Sequence, residues 1–231
     1  MVIRFNYKKE MVSMDLEKIL KKHKMWLNDE EGGERANLGG FDLSYTDLSG
    51  DDLRGAYLCN ADLRNAYLYN TDLRDVDLYH TDLRNAHLYN ADLRDADLRC
   101  ANLTGADLKN VNLMGIKTNM YTSGYNLACP EEGSFIGYKK AGKCIVKLLI
   151  PEDAKRSSAT TAKCRCDKAK VLDIEDIMTG EKIETVNSNY DTNFTYIVGE
   201  MVYVDDFDDN RWNECAPGIH FFMKEEDAIN Y

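Results

Sequence analysis

The side chains with the most chemistry to offer lie between residues 155 and 220. Cys164-x-Cys166, Cys215 and His220 are four groups of the kind that bind zinc. A Cys-x-Cys step is unusual for a zinc knuckle, however, and the second pair is five apart with Pro217 between. Buried reduced thiols and a packed histidine are therefore expected, with no metal, although the sequence leaves open whether the four come together. Cys215 and His220 as nucleophile and base lack a recognisable orienting group. The run Asp205-Asp206-Phe207-Asp208-Asp209-Asn210 has the oxygen density of a calcium loop. Arg211 stands where the loop glycine belongs and Pro217 where the bidentate glutamate belongs, which excludes an EF-hand and leaves a solvated acidic turn. Lys155, Arg156, Lys163, Arg165, Lys168 and Lys170, opposed only by Asp167, are expected to face that turn; the alternative is an anionic partner. The sequence has no glycine-rich phosphate loop, nucleophile elbow or paired-carboxylate motif. Nothing argues for an enzyme or a cofactor.

The elements that must position any functional surface begin with residues 36–115, sixteen five-residue units without an insertion. Leucine holds the third place of every unit, including Leu58, Leu63, Leu68, Leu73, Leu78, Leu83, Leu88 and Leu93, and the place two before it is mostly Ala, Thr or Val. A helix would march these leucines around all its sides, and a flat strand would alternate them between faces. A chain that turns a corner after each unit points them all at one axis, which defines a solenoid with a leucine core. The fifth place supports the corner: thirteen of its sixteen residues are Gly, Asn or Asp, which tolerate the positive φ of a type II turn. Tyr45, His80 and Cys100 are the exceptions, where a different turn is expected. Phe41 and Asp51 break the inner pattern near the start of the repeat. This is read as an imperfect first coil in which backbone donors satisfy Asp51.

Units such as Ala61-Asp62-Leu63-Arg64-Asn65 resemble the pentapeptide-repeat family. The resemblance implies a right-handed four-sided β-helix with four units per coil, hence about four coils stacked roughly 4.8 Å apart. Between residues 61 and 100 the true period is ten, so opposite sides of such a coil match. One pair of sides carries Asp52, Asp62, Asp72, Asp82 and Asp92 with Arg54, Arg64, Arg74, Arg84 and Arg94, and is expected to be solvated and self-compensating. The other pair carries aromatics, with Tyr67 under His87 and Tyr69 under Tyr89 on one side and Tyr57 and Tyr79 opposite. Tyrosine rows stabilise a β surface, and they also suit a protein partner, so Tyr67, Tyr69, His87 and Tyr89 form the candidate partner-binding surface. One branch of the family imitates DNA and protects type II topoisomerases such as gyrase from inhibitors. That is the alternative the resemblance implies, set against interleaved Asp and Arg here.

Flanking the repeat, residues 14–28 are expected to form a helix N-capped by Ser13 and stopped by Gly32-Gly33, with Leu16, Ile19, Leu20, His23, Trp26 and Leu27 on one side. It would cap the open first coil, His23 bonding to backbone, while residues 1–12 form a tail or short strand. Residues 116–133 read as a linker. Beyond it, strands are expected at 135–140, 144–150, 169–174, 196–204 and 218–222 and a helix at 225–230, a small β-rich α+β domain over 134–231. From Tyr196-Ile197-Val198-Gly199 to Cys215-Ala216-Pro217-Gly218-Ile219-His220-Phe221-Phe222 the chain is similar to an uncharacterised module that accompanies such repeats in bacterial and phage proteins, and no activity follows from it. The whole chain is mainly β. Its net charge of −11 divides as +1, −6 and −6 over 1–35, 36–115 and 116–231, which opposes a nucleic-acid partner. Seven cysteines without a framework suit a reducing cytoplasm. No apolar run is long enough to span a membrane. The expectation is a non-enzymatic interaction or scaffold protein with an unidentified protein partner or a homodimer, and the alternatives are gyrase protection or an unrecognised activity in residues 134–231.

Overall fold

The computed structural model describes residues 2–213 and 215–231, with side chains from residue 15 onward. The chain divides into two compact units, Met1–Ser123 and Gly124–Tyr231. In the first, helix α1 spans Val2–Leu27. It starts earlier than the sequence suggested, so Ser13 lies within it and caps nothing, and the tail or strand expected before it is helical from Val2. Residues 2–13 contain no Gly or Pro, so nothing in them stops a helix that the following stripe propagates. Leu16 and His23 are buried on that stripe, while Trp26 is 38% exposed.

After α1 the chain winds as a four-sided tube. Parallel bridges join residues twenty apart on each side: Asn37↔Tyr57↔Asp77↔Asp97, Asp42↔Asp62↔Asp82, Asp47↔Tyr67↔His87↔Asp107 and Asp52↔Asp72↔Asp92. Each leucine N–H from Leu38 to Leu103 donates to the next coil, as in Leu58 to Asp77 at 2.8 Å, and each corner closes with a bond such as Ala61 N to Leu58 O at 3.1 Å. Leu58, Leu63, Leu68, Leu73, Leu78, Leu83, Leu88 and Leu93 are all fully buried. The Thr71 and Thr81 hydroxyls, buried among them, donate to the carbonyls of Leu48 and Leu58. Their polarity is thus satisfied without water.

All sixteen corners adopt positive φ, between 55° and 75°. Tyr45, His80 and Cys100 are at 58°, 58° and 62°, so the different turn expected at these residues does not form. Bonds to neighbouring coils, such as Tyr45 N to Arg64 O at 3.0 Å, hold the backbone in place, and the three side chains accept a left-handed conformation that they would not choose alone. Asp51 also differs from expectation. It is half-buried, and no described donor bonds its carboxylate, which burial and then Asp47 push above the ordinary range. The ladder runs past residue 115, into what the sequence suggested was linker, through Asp97↔Lys117 and Asn102↔Ser123. The last step is one residue longer than the others.

The second unit is built on strands β1 (Phe135–Ala141), β2 (Cys144–Ile150), β3 (Arg156–Ser158), β4 (Lys163–Cys166), β5 (Lys168–Asp176), β6 (Thr185–Asn187), β7 (Thr195–Ile197), β8 (Met201–Tyr203) and β9 (Ile219–Phe222), with helix α2 over Glu225–Asn230. Seven strands form one antiparallel sheet in the order β3-β4-β9-β1-β2-β5-β8, and β6 and β7 form a separate pair. The single strand expected over 196–204 is two, because Gly199 turns at φ 89° and sends β7 and β8 to different sheets. Val146, Leu148, Val171, Ile174 and Phe221 fill one core, while Ile145, Phe222 and Ala228 form a second cluster. Gly137 is obligatory for this packing: a Cβ there would lie 2.6 Å from the Phe221 ring.

Candidate functional site

Two places gather side chains that could meet another molecule. The first is the tube side that carries Tyr67, Tyr69, His87 and Tyr89. A five-residue unit puts its second place on the flat of a side and its fourth just before the corner, so residues twenty apart stack ring on ring. Tyr67 and His87 lie parallel, with centroids 4.9 Å apart at 7°. Tyr69 tilts toward both, at 6.0 Å and 5.6 Å, and the Lys109 ammonium stands 5.9 Å over the Tyr89 ring. Tyr67 remains 40% exposed. On the opposite side Arg35 is pressed over Tyr57, 3.9 Å from its centre, and bonds its hydroxyl at 2.7 Å.

The two remaining sides carry the charge, already neutralised. Arg64 makes a fork with Asp62, Nε to Oδ1 at 2.8 Å and Nη2 to Oδ2 at 2.5 Å, while the same Oδ1 accepts the Arg64 backbone N–H. Forks of this form recur on these sides at Asp52–Arg54, Asp72–Arg74, Asp82–Arg84 and Asp92–Arg94, and one more, Asp97–Arg99, lies on the Tyr57 side. Hydrogen bonds from these arginines hold Asp52, Asp62, Asp82, Asp92 and Asp97 below the ordinary carboxylate range.

The second place is a cavity of about 700 Å³ in the second unit. Strand β9 pairs with β4 over four residues but with β1 only at Tyr138↔Phe222. The cavity lies where β1 and β9 part. Lys139 spans that parting, its Nζ donating to the His220 carbonyl at 3.3 Å and standing 6.0 Å from the Tyr196 ring. Lys163 reaches in from β4, 3.3 Å from the Tyr231 hydroxyl and 3.8 Å from the Cys215 thiol. Burial lowers the Lys139 ammonium to about 8, and Lys163 pushes the same way. Burial, then the charges of Lys163, Lys139 and Arg165, lower His220 to about 4. His220 is therefore neutral near pH 7, its Nε2–H donating to the Ala216 carbonyl at 3.1 Å.

The four residues weighed as zinc ligands are not brought together. On β4 the register pairs Cys164 with Phe221 and Cys166 with Ile219, so both thiols enter the apolar core, whereas His220 pairs with Arg165 and belongs to the other face. Cys164 meets Cys129, which together with burial raises its thiol pKa, and Cys215 alone is exposed. Among the described residues no cluster of three His, Cys, Asp or Glu could hold a metal ion. The basic segment does turn toward the acidic run, though largely through carbonyls: Arg165, fully buried, bonds the backbone oxygens of Asp208 and Asn210, and Lys155 reaches Asp209 at 3.3 Å. Sequence reasoning named Cys215 and His220 but missed Lys139, Tyr196 and Tyr231. The available signal was Lys139 at an inward place of the alternating strand Phe135–Ala141.

A tube made of stacked five-residue units, leucine inside and φ-positive corners outside, defines a β-helical repeat protein. Residues 42–115 belong to the pentapeptide-repeat family: the model for Pentapeptide repeats (8 copies) matches 42–78, 52–88 and 77–115. Residues 125–228 match a separate Family of unknown function (DUF5758). Among solved structures, a pentapeptide repeat protein of the Arabidopsis thaliana thylakoid lumen is 36% identical over 37% of this chain and 62% of that one, with a TM-score of 0.34. HetL, involved in heterocyst differentiation regulation in the cyanobacterium Nostoc, is 34% identical over 40% and 44%, with a TM-score of 0.37. The chain thus spans less than two thirds of either protein. QnrB1, a plasmid-mediated fluoroquinolone resistance protein, is 16% identical over 38% and 67%, with a TM-score of 0.17. A search of curated proteins found no match.

Proposed function

We propose that this is a non-enzymatic interaction protein whose repeats form a rigid rod and present Tyr67, Tyr69, His87 and Tyr89 to a protein partner. The contrast between neighbouring sides carries this reading. Carboxylates and guanidiniums on the charged sides already satisfy each other, whereas the aromatic row keeps ring surface open to solvent. Tyrosine supplies large contact area at low entropic cost, which is why such rows serve as anchors. The partner is a different protein or a second copy of the chain; the net charge of −11 opposes nucleic acid. The proposed compartment is the cytoplasm, where the thiols stay reduced. No described helix is long and apolar enough to cross a membrane, and the reading invokes none.

The rod is taken to have about four coils, with α1 as the cap of the first. Supporting the cap, the Ala36 N–H donates to His23 Nδ1 at 3.1 Å and the Glu34 N–H to the Lys22 carbonyl at 3.1 Å. Converting Tyr69 and Tyr89 together to Ala is expected to leave circular dichroism and melting nearly unchanged. It should abolish self-association in sedimentation velocity, or capture of a partner identified from the native host. Unchanged binding by the double variant removes the surface from consideration. DNA mimicry would need rows of free carboxylates, and Asp52, Asp62, Asp72, Asp82 and Asp92 of the charged rows each carry an arginine fork. Gyrase supercoiling in the presence of a quinolone separates the readings, since rescue by this protein would overturn the one proposed.

A further inference from the structure

The cavity of the second unit has its own logic, independent of the rod. Its volume of about 700 Å³ falls within the range that holds a small ligand. The walls include the aromatic rings of Tyr190, Phe194, Tyr196, Tyr203 and Tyr231. Charge is sorted by depth: Lys139 is half-buried and Lys163 buried, while Asp191, Asp205 and Asp206 are exposed at the surface. Exposed acidic groups act through water, whereas the half-buried Lys139 ammonium sets up its field through a less polar medium. His220 registers that field, being lowered by positive charges from Lys163, Lys139 and Arg165 after the effect of burial. Placing an ammonium in a sheet parting costs free energy, and the hydrogen bond from Lys139 to the His220 carbonyl offsets only part of it.

We propose that this cavity binds a small organic anion carrying an aromatic ring, its carboxylate or phosphate group against Lys139 and Lys163 and its ring among Tyr196, Tyr203 and Tyr231. A guest of this type sets an anionic group beside the half-buried Lys139 ammonium, and its ring meets the aromatic side chains by offset stacking.

The test titrates the full-length protein with phenyl phosphate, benzoate and the neutral benzyl alcohol by calorimetry. Saturable binding of at least one anion is expected, with benzyl alcohol at least tenfold weaker. Lys139→Met should lose at least tenfold in affinity for that anion, and Lys139→Arg should keep most of it. Anion affinity should also fall as pH rises through about 8, where the Lys139 ammonium gives up its proton. A second readout needs no variant. Cys215, the exposed cysteine, lies beside Lys163, so saturating anion should slow its alkylation by iodoacetamide, followed by peptide mass spectrometry. Failure of both anions to saturate, equal binding of the alcohol, or unaltered Cys215 alkylation at saturation would each overturn the proposal. The Tyr69 and Tyr89 double variant should bind the anion as the parent does, which keeps this result separate from that of the rod.

Discussion

Tyr45, His80 and Cys100 sit in the left-handed region with bulky or ill-suited side chains, at a cost of roughly 1–2 kcal/mol each relative to a residue at ease there. Tyr45 offers the cleanest test, because it is 68% exposed. Tyr45→Asn is expected to raise stability by about 1 kcal/mol in urea unfolding, and a loss would mean that its ring makes a contact worth more than the strain. Asp51 gives a pH-dependent case. Its folded pKa is raised, so its ionisation opposes folding and the penalty disappears as pH falls through that raised value. Asp51→Asn should therefore stabilise the protein at pH 7 and make no difference near pH 3. The comb of leucines was legible because type and spacing agreed at every unit. The three odd corners were misread because their conformation is imposed by coils twenty residues away, which no local propensity encodes.

At the scale of elements, the forks on the charged sides bring each Asp and Arg into register two residues apart, with cross-coil contacts such as Arg64 to Asp82 at 3.7 Å. The held-down carboxylates Asp52, Asp62, Asp82, Asp92 and Asp97 contribute stability that is present above the unfolded value of about 3.9 and is lost as pH falls through their lower folded values. His23, lowered chiefly by burial, acts in the same direction, its contribution declining as pH drops below about 6.5. Melting of the first unit should thus soften slightly between pH 6.5 and 5 and fall steeply below pH 4; an acid-resistant unit would contradict the fork geometry. The main strands β1, β2 and β5 were visible as apolar runs. Strand β4 was not, because Lys163-Cys164-Arg165-Cys166 reads as a polar loop, and only the fold reveals that all four residues are buried. The cavity was invisible for a related reason. It depends on a parting between β1 and β9, partners eighty residues apart, and sequence spacing carries no record of where a ladder stops.

At the scale of the whole molecule, two separate sets of apolar side chains hold the two compact units. Leu78→Ala removes a fully buried side chain of the tube, and Phe221→Ala one from the sheet core. Each is expected to cost about 2–5 kcal/mol, and hydrogen exchange on the full chain should show the loss in residues 36–123 for the first and 135–228 for the second. The partition between repeat and non-repeat chain was clear from texture alone. Its boundary was drawn too early, because Lys117 and Ser123 continue the ladder after the leucines have ended.

The twenty-residue bridge step also governs how such a gene could lengthen. Duplicating a single unit would rotate everything after it by a quarter turn and align tyrosines with the arginine forks of the preceding coil. Duplicating two units would keep like with like in charge but exchange the partner-facing row with its opposite. Growth that leaves the aromatic row continuous must come in multiples of sixty nucleotides.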